Sequence, residues 1–153
     1  MLTSSFLKHA LFIIYQLLRS GVAVEDILLV YCSLIRSVLE YCCPVWHCGL
    51  SKAQSSDIEA VQKRALRIVL PDLCYDDALV CSGLEKLSAR RVKLSRKAFV
   101  DIKSESHVLN HLLVRRTFDR NVVTRDAYPY CLPRSRTGRA LKSLIAYGIR
   151  NGF

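Results

Sequence analysis

The chain has 153 residues, 51% of them hydrophobic, and 23 Lys and Arg against 13 Asp and Glu give a net charge of +10. That is a one-domain length with enough apolar content to bury a core, which excludes a chain disordered throughout. The basic excess calls for an acidic partner (nucleic acid, an anionic membrane surface or an acidic protein), or is simply the solvated surface of a basic soluble domain.

The first predicted helix runs from a cap at Ser4 or Ser5 to about Ser20, with Gly21 as its stop. Leu7, Ala10, Leu11, Ile14, Leu17 and Leu18 form its main face, and Phe12 and Ile13 widen that face, so cover on two sides is expected. The apolar stretch 10–18 falls short of the ~20 residues that span a bilayer. A single Lys precedes it and no small-residue cleavage site follows, so it reads as a buried helix and not as a signal peptide.

Residues 24–41 form the second predicted helix. Ile27, Leu28, Tyr31, Leu34, Ile35, Val38 and Leu39 recur at three-and-four spacing, and Glu25 and Asp26 suit its first turn. Pro44 disfavours helical geometry at Cys43 and marks an end or kink there. Val45 and Trp46 supply an apolar anchor.

Cys42, Cys43 and Cys48 with His47 invite a zinc site, but no C-x-x-C pair is present, and neighbours on a helix point about 100° apart. Core packing is preferred, and no metal or cofactor is expected. Seven cysteines without a secretory signal predict reduced, mostly buried thiols, and the odd count argues against complete internal pairing.

Ser51, Ser55 and Ser56 are candidate caps for the next helix. Ile58, Val61, Ala65, Ile68 and Val69 make its buried stripe, Lys63, Arg64 and Arg67 lie off it, and Pro71 ends it. Tyr75-Asp76-Asp77 imitates a polymerase motif, yet that motif places a residue between the aromatic and the aspartates, and two-metal chemistry needs carboxylates on a rigid scaffold. The two acids fit the start of a short helix, 78–82, stopped by Gly83.

A further helix is predicted at 87–104. Leu87, Leu94, Ala98, Phe99 and Ile102 share one side of it, and Arg90, Lys93, Arg96 and Lys97 the other. Such a charged face is usually solvated, but together with Lys63, Arg64 and Arg67 it makes a candidate stripe for a phosphate backbone. Residues 108–114 suggest one more short helix, with His107 and His111 at i, i+4 but no evident third ligand, so both read as surface histidines.

From Arg115 onward nine Arg and Lys face two Asp. Asp126, Pro129, Pro133 and Gly138 break regular structure, and Phe118, Tyr128 and Tyr130 interleave with the arginines. That mixture suits single-stranded or irregular nucleic acid, or a weakly ordered tail.

Several of these residues also form a family pattern. Ile35, Arg36, Ser37, Leu39, Glu40 and Tyr41, then Pro44, Val45 and Trp46, are followed by Ile58, Glu59, Gln62, Arg64, Ala65, Leu66, Arg67 and Ile68. Downstream come Tyr75, Ala78, Leu79, Leu84, Leu87 and the pair Arg90-Arg91. In order and spacing this resembles the region after the polymerase palm in reverse transcriptases of non-LTR, Jockey-like retrotransposons, and the likeness covers about residues 7–147. The stretch 134–139 with Ser143, Leu144 and Ile145 is similar to the family's post-thumb steps. The family usually continues to a Trp-Asn pair, whereas Asn151-Gly152-Phe153 stands here.

The resemblance implies a thumb-like bundle that grips primer–template duplex. Fingers and palm, with their catalytic aspartates, have no counterpart in the sequence, so the chain is expected not to be an enzyme. The expected fold is all-α: a small helical bundle of four to six helices at 1–114, with an irregular basic segment at 115–153. Its core is expected to hold Ile14, Leu18, Tyr31, Ile35, Val38, Trp46, Ile58, Val61 and Leu66. The expected function is that of a retrotransposon-derived reverse transcriptase fragment lacking the palm. It would bind RNA or DNA duplex or hybrid through Lys63, Arg64, Arg67, Arg90, Lys93, Lys97, Arg134 and Arg136. An intracellular, non-membrane location goes with this reading. The alternatives are a protein-interaction module that uses the uncovered palm-docking face, and an open reading frame with no selected function.

Overall fold

The computed structural model describes residues 2–115, 129–134 and 136–153. Among these the chain is all-α: every regular element is helical, and Arg115 and Tyr130 form an isolated antiparallel bridge. Two compact units divide the chain. One comprises Met1–Tyr41 and Ser51–Arg90, the other Cys42–Leu50 and Arg91–Phe153. Residues distant in sequence pack together within each unit.

In the first unit, α1 spans Leu2–Arg19. It begins ahead of Ser4, so neither Ser4 nor Ser5 caps it. Its end is as the sequence predicts: Gly21 has φ +77°, and the Gly21 and Val22 amides donate to the Leu18 and Leu17 carbonyls at 3.1 and 3.3 Å. Phe12 and Ile13 are 57% and 45% exposed, so α1 is covered on one side and not on two.

Helix α2, Val24–Val30, passes directly into a π-helical stretch, Tyr31–Arg36, and then α3, Ser37–Glu40. The i→i+5 bonding of a π-helix turns each residue through a smaller angle than an α-helix does. Ile27, Tyr31 and Ile35 consequently stay in line and are all but fully buried, whereas Leu34 and Val38 swing outward to 41% and 39% exposure. Val38 is thus not the core residue that α-helical periodicity predicts. The run ends where Tyr41 turns extended (ψ 126°) and Cys42 is left-handed (φ +50°). The break precedes Pro44, which occupies the first turn of α4, Cys43–Trp46, where a missing N–H costs nothing. By length and composition alone the stretch Val24–Gly49 is apolar enough to cross a membrane; the turn at Tyr41 and Cys42 interrupts it.

Helix α5, Lys52–Val69, is the pillar of this unit. Of the three candidate serines Ser51 caps it: the Gln54 amide donates to Ser51 Oγ at 3.2 Å, and the Ser51 amide donates back to Gln54 Oε1 at 3.0 Å. Ala65 and Val69 pack into a core with Ala10, Leu11, Ile14, Ile27, Tyr31 and Ile35. Leu66 meets Ala78 and Leu79 of α6, Tyr75–Ser82, in an adjoining cluster. Ile58, Val61 and Leu18, expected in the core, are half-buried, while Gln62 is wholly buried. Helix α6 starts earlier than 78 because the Cys74 sulfur caps it, accepting from the Asp77 amide at 3.4 Å. Gly83, φ +63°, closes it.

Helix α7, Leu87–Ile102, begins in the first unit and continues into the second. There Phe99 and Ile102 pack with Leu113 and with Ile149 of α9, Leu144–Arg150, and Tyr130, Leu144, Ile145 and Phe153 flank them. A methyl group at Gly148 would overlap the Phe99 ring, so only glycine lets the backbone come this close. With α8 at Gly138–Leu141, part of the segment expected to be irregular is helical and supplies core. Phe118, Asp126 and Tyr128 lie outside the described residues. The helix expected at 108–114 is only a 3₁₀ turn, Asn110–Leu112. Both histidines there are engaged locally: His107 Nδ1 accepts from the Leu109 amide at 3.1 Å, and His111 Nδ1 lies 2.7 Å from the Val108 carbonyl. Trp46 is half-buried, less an anchor than expected.

No disulfide joins the seven cysteines, and only Cys43 is buried. The expectation of mostly buried thiols fails because Cys74 serves as a helix cap at the surface and Cys42 occupies an exposed left-handed turn.

Candidate nucleic-acid interface

The basic run of α5 is separated by helical geometry. Residues four apart share a side, whereas neighbours diverge by about 100°. Lys63 and Arg67 accordingly line one cavity of about 230 Å³ with Leu73 and Tyr75. Arg64 lines another, of about 450 Å³, formed with α1 residues Lys8, Leu11, Phe12 and Tyr15. All three basic side chains are exposed, and among the described residues none is ion-paired. The Lys63 ammonium lies 5.1 Å from the Tyr75 ring centroid.

Arg90 differs from these. It is half-buried and its Nε donates to Glu40 Oε1, which also has Arg36 Nε at 4.0 Å. Its charge is committed inside the first unit. Lys93 and Lys97 belong to the second unit and are exposed, as is Arg96, whose guanidinium lies 5.8 Å from the Phe153 ring centroid. Arg134 and Arg136 are exposed in the same unit.

The sequence pattern did not reveal a polar network beneath the basic run. Tyr31 Oη donates to Gln62 Oε1 at 2.8 Å, and Gln62 Nε2 donates to the Glu85 carbonyl at 3.0 Å and to Tyr75 Oη at 3.1 Å. Tyr75 Oη donates to Glu59, whose carboxylate accepts the Leu87 and Ser88 amides, both at 3.1 Å, at the start of α7. Burial pushes both tyrosine hydroxyls above their ordinary range, and at Tyr75 the Glu59 hydrogen bond adds to the effect. The i, i+3 spacing of Glu59 and Gln62 on α5 was the available signal, since it puts both on one side of the helix.

Asp76 and Asp77 lie in the first turn of α6, and Asp76 Oδ1 is 2.8 Å from Lys86 Nζ. That pairing holds the Asp76 carboxyl below the usual range and raises Lys86. In the second unit the His47 ring meets Tyr147 edge-on at 5.9 Å. Burial pushes the Cys48 thiol up to about 11. Among the described residues no three His, Cys, Asp or Glu are grouped to hold a metal ion. No family model, curated protein or solved structure matches the chain.

Proposed function

We propose that the chain is a reverse-transcriptase-thumb-like helical protein, of retrotransposon origin, that binds nucleic-acid backbone without sequence preference and without catalysis. The observation that carries this reading is the trio Lys63, Arg64 and Arg67. They are exposed on one helix, in no ion pair among the described residues, on a chain of net charge +10. Phosphate is the chemistry that such cations take without regard to sequence. The polar residues of the retrotransposon-like pattern support the reading from another side. Glu40, Glu59, Gln62, Tyr75 and Arg90 are bound to one another or to backbone within the first unit, so these positions of the pattern hold helices of one unit together.

Titrating a labelled RNA–DNA hybrid and a DNA duplex at several salt concentrations tests the proposal. The expected Kd is about 10⁻⁴–10⁻⁶ M near physiological salt, with a slope of log affinity against log salt of about −0.9 per phosphate contact on duplex DNA. The triple change Lys63→Ala, Arg64→Ala, Arg67→Ala should flatten the slope by roughly two to three units. An unchanged slope removes α5 from the interface, and absence of binding at low salt overturns the reading. A second reading, a protein-interaction module, is favoured by one observation: Leu29, Leu34 and Val38 stand 68%, 41% and 39% exposed along a single helical run, and Tyr41 just past its end is 76% exposed.

A further inference from the structure

Backbone binding accounts for the cations of the first unit but not for the aromatic rings beside them. The groove between α1 and α5, about 450 Å³, is lined by Lys8, Leu11, Phe12, Tyr15, Arg64 and Ile68. Its volume falls in the ordinary range for ligand sites. Phe12 is 57% exposed and Tyr15 44%, so the core does not use much of either ring. Lys8, Phe12 and Tyr15 recur at i, i+4 and i+7, which keeps them on one flank of α1. Arg19 adds a third cation, its guanidinium 5.9 Å from the Tyr15 ring centroid. Among the described residues no carboxylate lines the groove, and α1 contains no Asp or Glu.

We infer that this groove takes the bases of unstacked, single-stranded nucleotides, their faces against Phe12 and Tyr15 and their phosphates on Lys8 and Arg64. The inference rests on the nucleic-acid reading above and names the form of nucleic acid that this groove selects. Charge complementarity makes the occupant an anion, and the two aromatic rings make it one with flat faces. Bases within a duplex are already stacked on each other, so only single strands or frayed ends present such faces.

Three labelled probes test it against the whole chain: an oligothymidylate, an abasic oligomer of equal length and a blunt duplex. The wild-type chain should bind oligothymidylate more tightly than the abasic oligomer. The double variant Phe12→Ala, Tyr15→Ala should lose about fivefold or more of that affinity per stacked base while duplex affinity stays unchanged. Tyr15→Phe, which keeps the ring, should retain thymidylate binding, and circular dichroism confirms that each variant is folded. Equal affinity for the thymidylate and abasic probes overturns the groove assignment and leaves backbone binding intact. So does a double variant that binds thymidylate like the wild type. Failure of all three probes at low salt overturns the functional reading as well. Binding to phosphatidylserine vesicles that the double variant abolishes, with thymidylate binding absent, assigns the groove to lipid and overturns the inference.

Discussion

His47 follows Trp46 in the second unit, edge-on to Tyr147 and flanked by the cysteines that invite a metal reading. Burial, and then the positive charge of Arg91, hold its pKa below the ordinary 6.5. A histidine with a depressed folded-state pKa binds its proton more tightly in the unfolded chain. Its stabilising effect is therefore fully present above about pH 6.5 and is lost as pH falls from there toward the folded value. Urea unfolding followed between neutral and mildly acidic pH should show stability declining on acidification. His47→Gln should flatten that decline, and an unchanged slope in the variant would assign the effect to other groups. The neighbouring cysteines and the alternation of Trp46 and His47 are plain in the sequence. The Arg91 charge that sets the imidazole's behaviour is not, since it arrives from another helix.

At the scale of elements, helix ends were the most legible feature. Ser51 with Gln54, Gly21 and Gly83 each act as the local chemistry requires, because capping depends on residues only three or four apart. The start of α7 is different. Its first amides are satisfied by Glu59, which lies 28 residues before Leu87. Glu59→Ala should cost about 0.5–2 kcal/mol, the ordinary loss for a helix cap, with the urea m-value unchanged. Glu59→Gln, which still offers one acceptor oxygen, should recover part of it. A Glu59→Ala variant as stable as the parent would mean that water replaces the cap at no cost. The π-helical stretch was also beyond reach of periodicity. Three-and-four spacing from Ile27 to Leu39 fits an uninterrupted α-helix, and the wider turn that buries Tyr31 and Ile35 while releasing Val38 is selected by packing against α1 and α5.

At the scale of the molecule, a net charge of +10 makes the folded state repel itself. Salt at moderate concentration screens that repulsion, so the melting temperature should rise with added sodium chloride. Nucleic-acid affinity should fall over the same range, as cations at phosphates exchange with bound counterions. Differential scanning fluorimetry and a binding titration in matched buffers would read both trends. A melting temperature that falls with salt would mean that the pairs Glu40–Arg90 and Asp76–Lys86 outweigh the general repulsion.

The all-α class, the helix stops at Gly21 and Gly83 and the exposure of Lys63, Arg64 and Arg67 follow from the sequence alone, because helical periodicity, capping and solvation of charge are local matters. Tertiary structure alone decided that Gln62 is buried and shared between Tyr31 and Tyr75, and that Arg90 is spent on Glu40. It alone decided that Phe12 faces a groove and not a core. Those outcomes depend on which side chain arrives from a distant helix to satisfy a polar atom or cover a ring, and no spacing within one helix carries that information.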